Sequence, residues 1–300
     1  MNEFSQFFGS RDALTWSVVV LAAFAGGTLR GLTGFGAALL MAPLLSLVLP
    51  ARETMCLVTL LNALPIGRAT LLSASRLIDR AVMLPMSLAA FVGVPCGIAL
   101  VGALPAQAFG LVIGFAVVAS ALALMSGVTL VAGRSRQLSL GVGLLSGLLT
   151  GFGGVGGPPA ILYLFGVEPD SHRARANFIL FFAVLYPVAL MAIALLGMLS
   201  WANLALGVLL APLFHLGGMA GTRLYRRVGK RHFRPFVLVL LIAAGVMAAW
   251  PRELPAQSPA AVVGGEAGDG GHTVFKLVQC APGECAAAGS GAAKGLRNIA

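Results

Sequence analysis

The chain has 300 residues, of which 58% are hydrophobic and only 10% charged, with a mean hydropathy of +0.94. Soluble domains carry about 25% charged residues, so a soluble globule is excluded. The formal net charge of +10 invites a nucleic-acid reading. However, the basic residues sit in short loops between apolar runs and are not interleaved with aromatics on one face, so they are read as topology signals and no nucleic-acid partner is expected.

No Asp, Glu, Lys or Arg occurs between Arg80 and Arg134, between Arg136 and Glu168, or between Arg175 and Arg223. Since about 20 apolar residues cross ~30 Å of hydrocarbon, runs of this length predict several membrane spans. In chain order the apolar segments fall at 14–29, 31–50, 54–75, 81–101, 105–132, 138–166, 176–199, 201–222 and 235–250. The first follows Arg11 and carries Ala23-Phe24-Ala25, as a signal peptide would. Yet Glu3 and Asp12 precede it and a repeated motif begins just after it, so it reads as a retained first membrane segment. After Trp250 the chain turns rich in Gly, Ala and Pro, with one short apolar patch at Val274–Val278. Such a composition cannot bury a core, and a disordered tail is expected. Cys56 and Cys96 read as packing or bilayer-facing residues, and Cys280 with Cys285 as a pair able to close a small loop in an oxidising compartment.

An internal repeat organises the rest. Thr33-Gly34-Phe35-Gly36 recurs as Thr150-Gly151-Phe152-Gly153, each in a Gly-rich apolar stretch followed by proline (Pro43; Pro158 and Pro159). Glu53 and Asn62 match Glu168 and Asn177 at one common offset, and Gly93-x-x-x-Gly97 matches Gly217-x-x-x-Gly221, a spacing that lets membrane helices approach closely. The predicted organisation is an N-terminal segment (1–13), a first transmembrane repeat (14–136), a second (137–250) and the tail (251–300).

Loop charges set the orientation. Arg68, Arg76 and Arg80 mark the loop before 81–101 as cytoplasmic and the uncharged 102–106 as external, with Arg134 and Arg136 back inside. In the second half 198–203 is uncharged and Arg223 to Arg234 holds six basic residues, so the halves are predicted to be inverted relative to each other. This requires 138–166 to be a broken hairpin. A helix from Gln137 to Thr150 rises only about 20 Å, and the glycines between Gly147 and Gly157 with Pro158-Pro159 supply the break. For 14–50, two full crossings remain open. The expected fold is an all-α polytopic membrane protein of two inverted repeats, about eight apolar segments in all, each repeat opening on a Gly/Pro-broken helix.

Non-helical backbone at membrane depth must be buried in protein or face a polar pathway. A helix starting after such a break aims N–H groups and its positive dipole end at the gap, which favours an anion. The expected substrate-binding set is Arg30, Thr33, Gly34, Gly36 and Asn62 from the first half, with Thr150, Gly151, Gly153, Gly154 and Asn177 from the second. Arg30 attracts the anion or, equally, snorkels to the interface. The Thr33 and Thr150 hydroxyls serve as added donors, and Asn62 and Asn177 orient the ligand. Gly151-x-Gly153-x-x-Gly156 matches a dinucleotide fingerprint formally, but it sits in an uncharged run, the prolines interrupt the helix that should follow, and no Walker lysine is present. His215 reads as a packing histidine, and Glu53 and Glu168 as solvated or capping carboxylates. With no nucleophilic triad, paired carboxylates or metal-ligand cluster, no enzyme activity, catalytic residue, metal or cofactor is expected.

The motifs GLTGFGAALLMAPLL and GLLTGFGGVGGPPAILYLF, with PLFHLGGMAGTRLYRRVGKRHFRPFVLVLLIAAG in the second half, resemble the TauE/SafE sulfite exporter family over about residues 14–250. The resemblance implies a multi-pass transporter of sulfite, organosulfonates or related anions in the bacterial inner membrane, with the Gly/Pro motifs near the substrate path. The implied partners are a small anionic substrate and the lipid bilayer, and the reading is compatible with a homo-oligomer. Two alternatives stay open: a proton- or sodium-coupled importer of another small solute, and a non-transporting membrane scaffold or assembly protein.

Overall fold

The computed structural model describes residues 11–34, 36–63, 72, 74–126, 135–168, 170–228 and 241–249, and the backbone of 263–267 and 273–277. Phe35, Arg68, Arg134, Lys230 to Arg234, Cys280 and Cys285 lie outside the described residues, as do the readings that rest on them. The chain divides into two compact units, Met1–Pro251 and Arg252–Ala300.

The first unit is helical throughout its described residues: α1 Ala13–Thr33, α2 Ala37–Ser46, α3 Ala51–Ala63, α4 Arg80–Ala103, α5 Ala106–Ser126, α6 Arg136–Gly153, α7 Gly157–Val167, α8 Ser171–Leu195, α9 Trp201–Val228 and α10 at 241–249. Among the described residues four stretches are long and apolar enough to cross a membrane: α1, α4, His172–Leu195 of α8 and Trp201–Leu224 of α9. Large apolar side chains such as Leu111, Phe115, Leu195, Trp201 and Leu209 are exposed. Such a surface is a liability in water and the normal outer face of a bundle in lipid. The architecture is that of a polytopic helical membrane protein.

A helix breaks within the first repeated motif and directly after the second. α1 ends where Gly34 takes φ +82°, its N–H bonded to the Arg30 carbonyl at 2.7 Å, and Gly36 follows at φ +87° as the N-cap of α2. α6 ends where Gly154 takes φ +75°. Its N–H reaches the Thr150 carbonyl at 2.8 Å, the αL ending that a left-handed glycine permits, and the Val155 N–H reaches the Leu149 carbonyl at 3.2 Å.

The hairpin over 138–166 follows. Ser139 near the start of α6 meets the Tyr163 hydroxyl of α7 at 2.5 Å, and the Ser146 hydroxyl donates to the Gly156 carbonyl, so α7 runs back along α6. In 14–50, α2 likewise folds back on α1, placing Gly26 against the Met41 side chain. Its ten residues rise only about 15 Å, too short for the second full crossing that the sequence left open.

The long helices pack across the halves. Gly93 and Gly97 of α4 lie directly on the Leu144 and Leu148 carbonyls of α6, while Gly217 and Gly221 of α9 lie on the Phe24 and Thr28 carbonyls of α1. Each break-bearing helix therefore rests against the glycine-lined helix of the other half.

In the second unit, Val263–Ala267 and Thr273–Leu277 pair as antiparallel strands, Val263 opposite Leu277 and Ala267 opposite Thr273. The expected all-α architecture is that of the first unit, and within the tail these ten residues are extended. Thr273-Val274-Phe275 is a β-branched and aromatic run, and it follows a Gly-Asp-Gly-Gly stretch of turn-favouring composition.

Candidate functional site

The two breaks meet at one cavity of about 50 Å³. Gly34, Gly36, Ala38 and Leu39 line it from the first break, and Gly154, Val155 and Gly157 from the second. A water needs about 10–15 Å³ of such space, so the volume suits a few waters or one small ion. The helix starts border it unequally. α2 opens on Gly36-Ala37-Ala38-Leu39, each with a backbone N–H, whereas α7 opens on Gly157-Pro158-Pro159, whose prolines carry none. The donor-rich side is therefore α2.

Arg30, one turn before the end of α1, lines the cavity, half-buried, with its guanidinium carbon 5.7 Å from the centroid of the Phe214 ring on α9. This cation–π contact seats the guanidinium between the cavity and the Phe214 ring. Asn62, buried in the last turn of α3, also faces in. One amide hydrogen goes to the Val58 carbonyl at 2.8 Å, and the amide carries a second.

The remaining wall belongs to α8. Phe178, Ile179, Phe182 and Tyr186 share one helix face, with ring centroids 4.7 Å apart for Phe178–Phe182 and 5.3 Å for Phe182–Tyr186. The buried Tyr186 hydroxyl donates to the Gly154 carbonyl at 3.1 Å. The sequence held a signal for this wall, an aromatic at every fourth position, but the same spacing describes any core stripe.

Of the residues expected to bind substrate, the structure brings Arg30, Gly34, Gly36, Asn62 and Gly154 to the cavity. Thr33 and Thr150 do not line it. Their hydroxyls donate to Leu29 and Ser146 carbonyls four residues back, at 2.8 and 2.7 Å, so the hydrogen meant for a ligand is used within the helix. Gly151 packs on the Val94 carbonyl of α4 and Gly153 on the Ile113 side chain of α5. Asn177 is buried elsewhere: its Oδ1 accepts the Asp79 N–H at 3.0 Å, at the start of α4. His215 is exposed on α9, and Glu53 pairs with Arg11 at 2.6 Å. No cluster of potential metal ligands occurs among the described residues.

The cavity can hold a small anion against an arginine and a set of backbone donors, and none of its described lining residues carries a carboxylate. No curated protein and no solved structure matches the chain. Residues 19–248, which include every residue named in the cavity lining, match the family described as Sulfite exporter TauE/SafE. With that match over the whole helical bundle, the chain belongs to the TauE/SafE family of membrane transporters for sulfur-containing anions.

Proposed function

We propose that this protein exports sulfite or a related small sulfur oxyanion across the bacterial inner membrane by alternating access around the Arg30 cavity. The observation that carries the reading is that both helix breaks, the start of α2 and the Arg30 guanidinium border one small space. Arg30 attracts the anion, the backbone at Gly34 to Leu39 and at Gly154 to Gly157 surrounds it, and Asn62 orients it. An interior-negative membrane drives an anion outward by about 2.3 kcal/mol per charge per 100 mV, so export needs no coupling ion. The uncharged run from Arg136 to Glu168 and the cavity lining offer no carboxylate for a proton or sodium relay.

The two halves are inverted repeats, 14–136 and 137–250, that rock against each other. Support comes from the matching breaks and from the crosswise packing of α1 on α9 and of α6 on α4. The test is uptake of labelled sulfite into proteoliposomes under an imposed potential, with sulfate, sulfoacetate and chloride as competitors. Potential-driven flux that sulfite analogues compete for is expected. Flux that follows a proton or sodium gradient at clamped potential would favour a coupled importer, and folded protein with no flux of any anion would favour a scaffold.

A further inference from the structure

Arg175, four residues into α8, stands at the start of the uncharged run that ends at Arg223. The fold sets its guanidinium against the first helix break. Nη2, Cζ and Nε lie 3.2, 3.6 and 3.7 Å from the point that a Cβ on Gly34 would occupy. Gly34 itself lines the cavity, and Phe178 and Ile179, which open its aromatic wall, follow Arg175 by three and four residues, about 5 Å along the helix. Arg175 is exposed and makes no ion pair among the described residues. Its level in the bundle is fixed by Asn177, two residues on, which accepts the Asp79 N–H at the start of α4. This is the end of the bundle that carries Arg76 and Arg80.

We infer that Arg175 is the capture and specificity residue at the arginine-rich mouth of the cavity: it takes the anion first and passes it along the α8 wall to Arg30. The inference rests on the transport reading given above. Two fixed cations, one exposed beside Gly34 and one half-buried over Phe214, bracket a wall without other charge, so an anion is stabilised at both ends of a short path. The planar guanidinium offers two parallel N–H donors, which suits a ligand presenting two equivalent oxygens on one centre. The favoured class is therefore the oxyanions, sulfite and sulfonates among them, over spherical halides.

The test measures initial rates of labelled sulfite transport in inside-out and right-side-out membrane vesicles, with chloride as competitor. Three variants are compared: Arg175→Gln, Arg175→Lys, and Arg173→Gln as an exposed control of the same charge on the same helix. Arg175→Gln is expected to raise KM about tenfold from the face carrying Arg76 and Arg80 with kcat there unchanged, while from the opposite face kcat falls by the same factor and KM does not move, as the equilibrium of an uncoupled carrier requires. Arg175→Lys should recover most of the affinity but lose discrimination against chloride, because a point charge lacks the fork. Arg173→Gln should behave as wild type. Equal KM changes at both faces, or unaltered kinetics in Arg175→Gln, would overturn the assignment while leaving wild-type transport intact. Absence of sulfite flux in the wild-type protein would overturn the transport reading and this assignment with it.

Discussion

Tyr186 of α8 donates its hydroxyl to the Gly154 carbonyl, the residue on which α6 ends, so the aromatic wall of the cavity is tied to the second helix break. Tyr186→Phe keeps the ring and removes this donor from a buried acceptor, a loss of about 1–3 kcal/mol. The melting temperature of the purified protein should fall by several degrees. An unchanged melting curve would mean that the turn holds without the bond.

Arg30 meets the cavity and the Phe214 ring together. Arg30→Gln removes the charge but little volume, and should raise the KM for sulfite at least tenfold and abolish the rise in melting temperature that sulfite gives the wild type. Arg30→Lys should restore only part of the affinity, since the flat guanidinium stacks on Phe214 and an ammonium does not. Full transport by Arg30→Gln would remove this residue from the mechanism.

Arg52, at the start of α3, donates from Nε to the Met198 carbonyl at 2.9 Å and from Nη2 to the Gly197 carbonyl, fastening α3 to the end of α8. The buried Cys56 Sγ lies one turn on and reaches the same Met198 carbonyl at 3.5 Å. Arg52→Ala releases this end, and the expected result is faster labelling of Cys56 by a maleimide. The comparison is made with Cys96, Cys280 and Cys285 replaced by Ser, so that the label reads Cys56 alone. Equal Cys56 rates in the two proteins would show that Arg52 is not the fastening.

Gly97 and Gly221 have no room for a side chain, because a Cβ would overlap the Leu148 or Thr28 carbonyl. Gly97→Leu and Gly221→Leu should each cut the yield of monodisperse protein severely, through separation of the helix pair. Gly102, near the end of α4, has nothing within 4 Å of its Cβ position, so Gly102→Ala should be tolerated or stabilising by up to about 1 kcal/mol. Size-exclusion profiles of the three variants decide the matter.

How far the sequence speaks is visible in these residues. The repeated Thr-Gly-Phe-Gly motif pointed to both helix breaks, the first within it at the left-handed Gly34 and Gly36, the second just past it at the left-handed Gly154, and Gly-x-x-x-Gly located both close helix contacts. Thr33, Thr150 and Asn177 were misplaced for another reason. Motif position says nothing of which carbonyl a hydroxyl finds in its own helix, nor which loop an amide meets across the bundle. Tyr186 and Arg175 were invisible as site residues because their neighbours, Gly154 and Gly34, are far away in the chain and are joined to them only by tertiary packing.

The crosswise packing of the halves also bears on how the chain is made. α6 leaves the ribosome soon after α4, its partner, but α1 must wait for α9: Thr33 and Trp201 are 168 residues apart. At about 5–20 residues per second the wait is roughly 10–30 s. Through that interval Gly27 and Gly31, which finally press on the Phe214 and Gly218 carbonyls, stand open to lipid or to any other small-residue helix in the membrane. Among the described helices α1 is thus one of the last to find its place, and the first half of the site, Arg30 included, is completed only once α9 has been made.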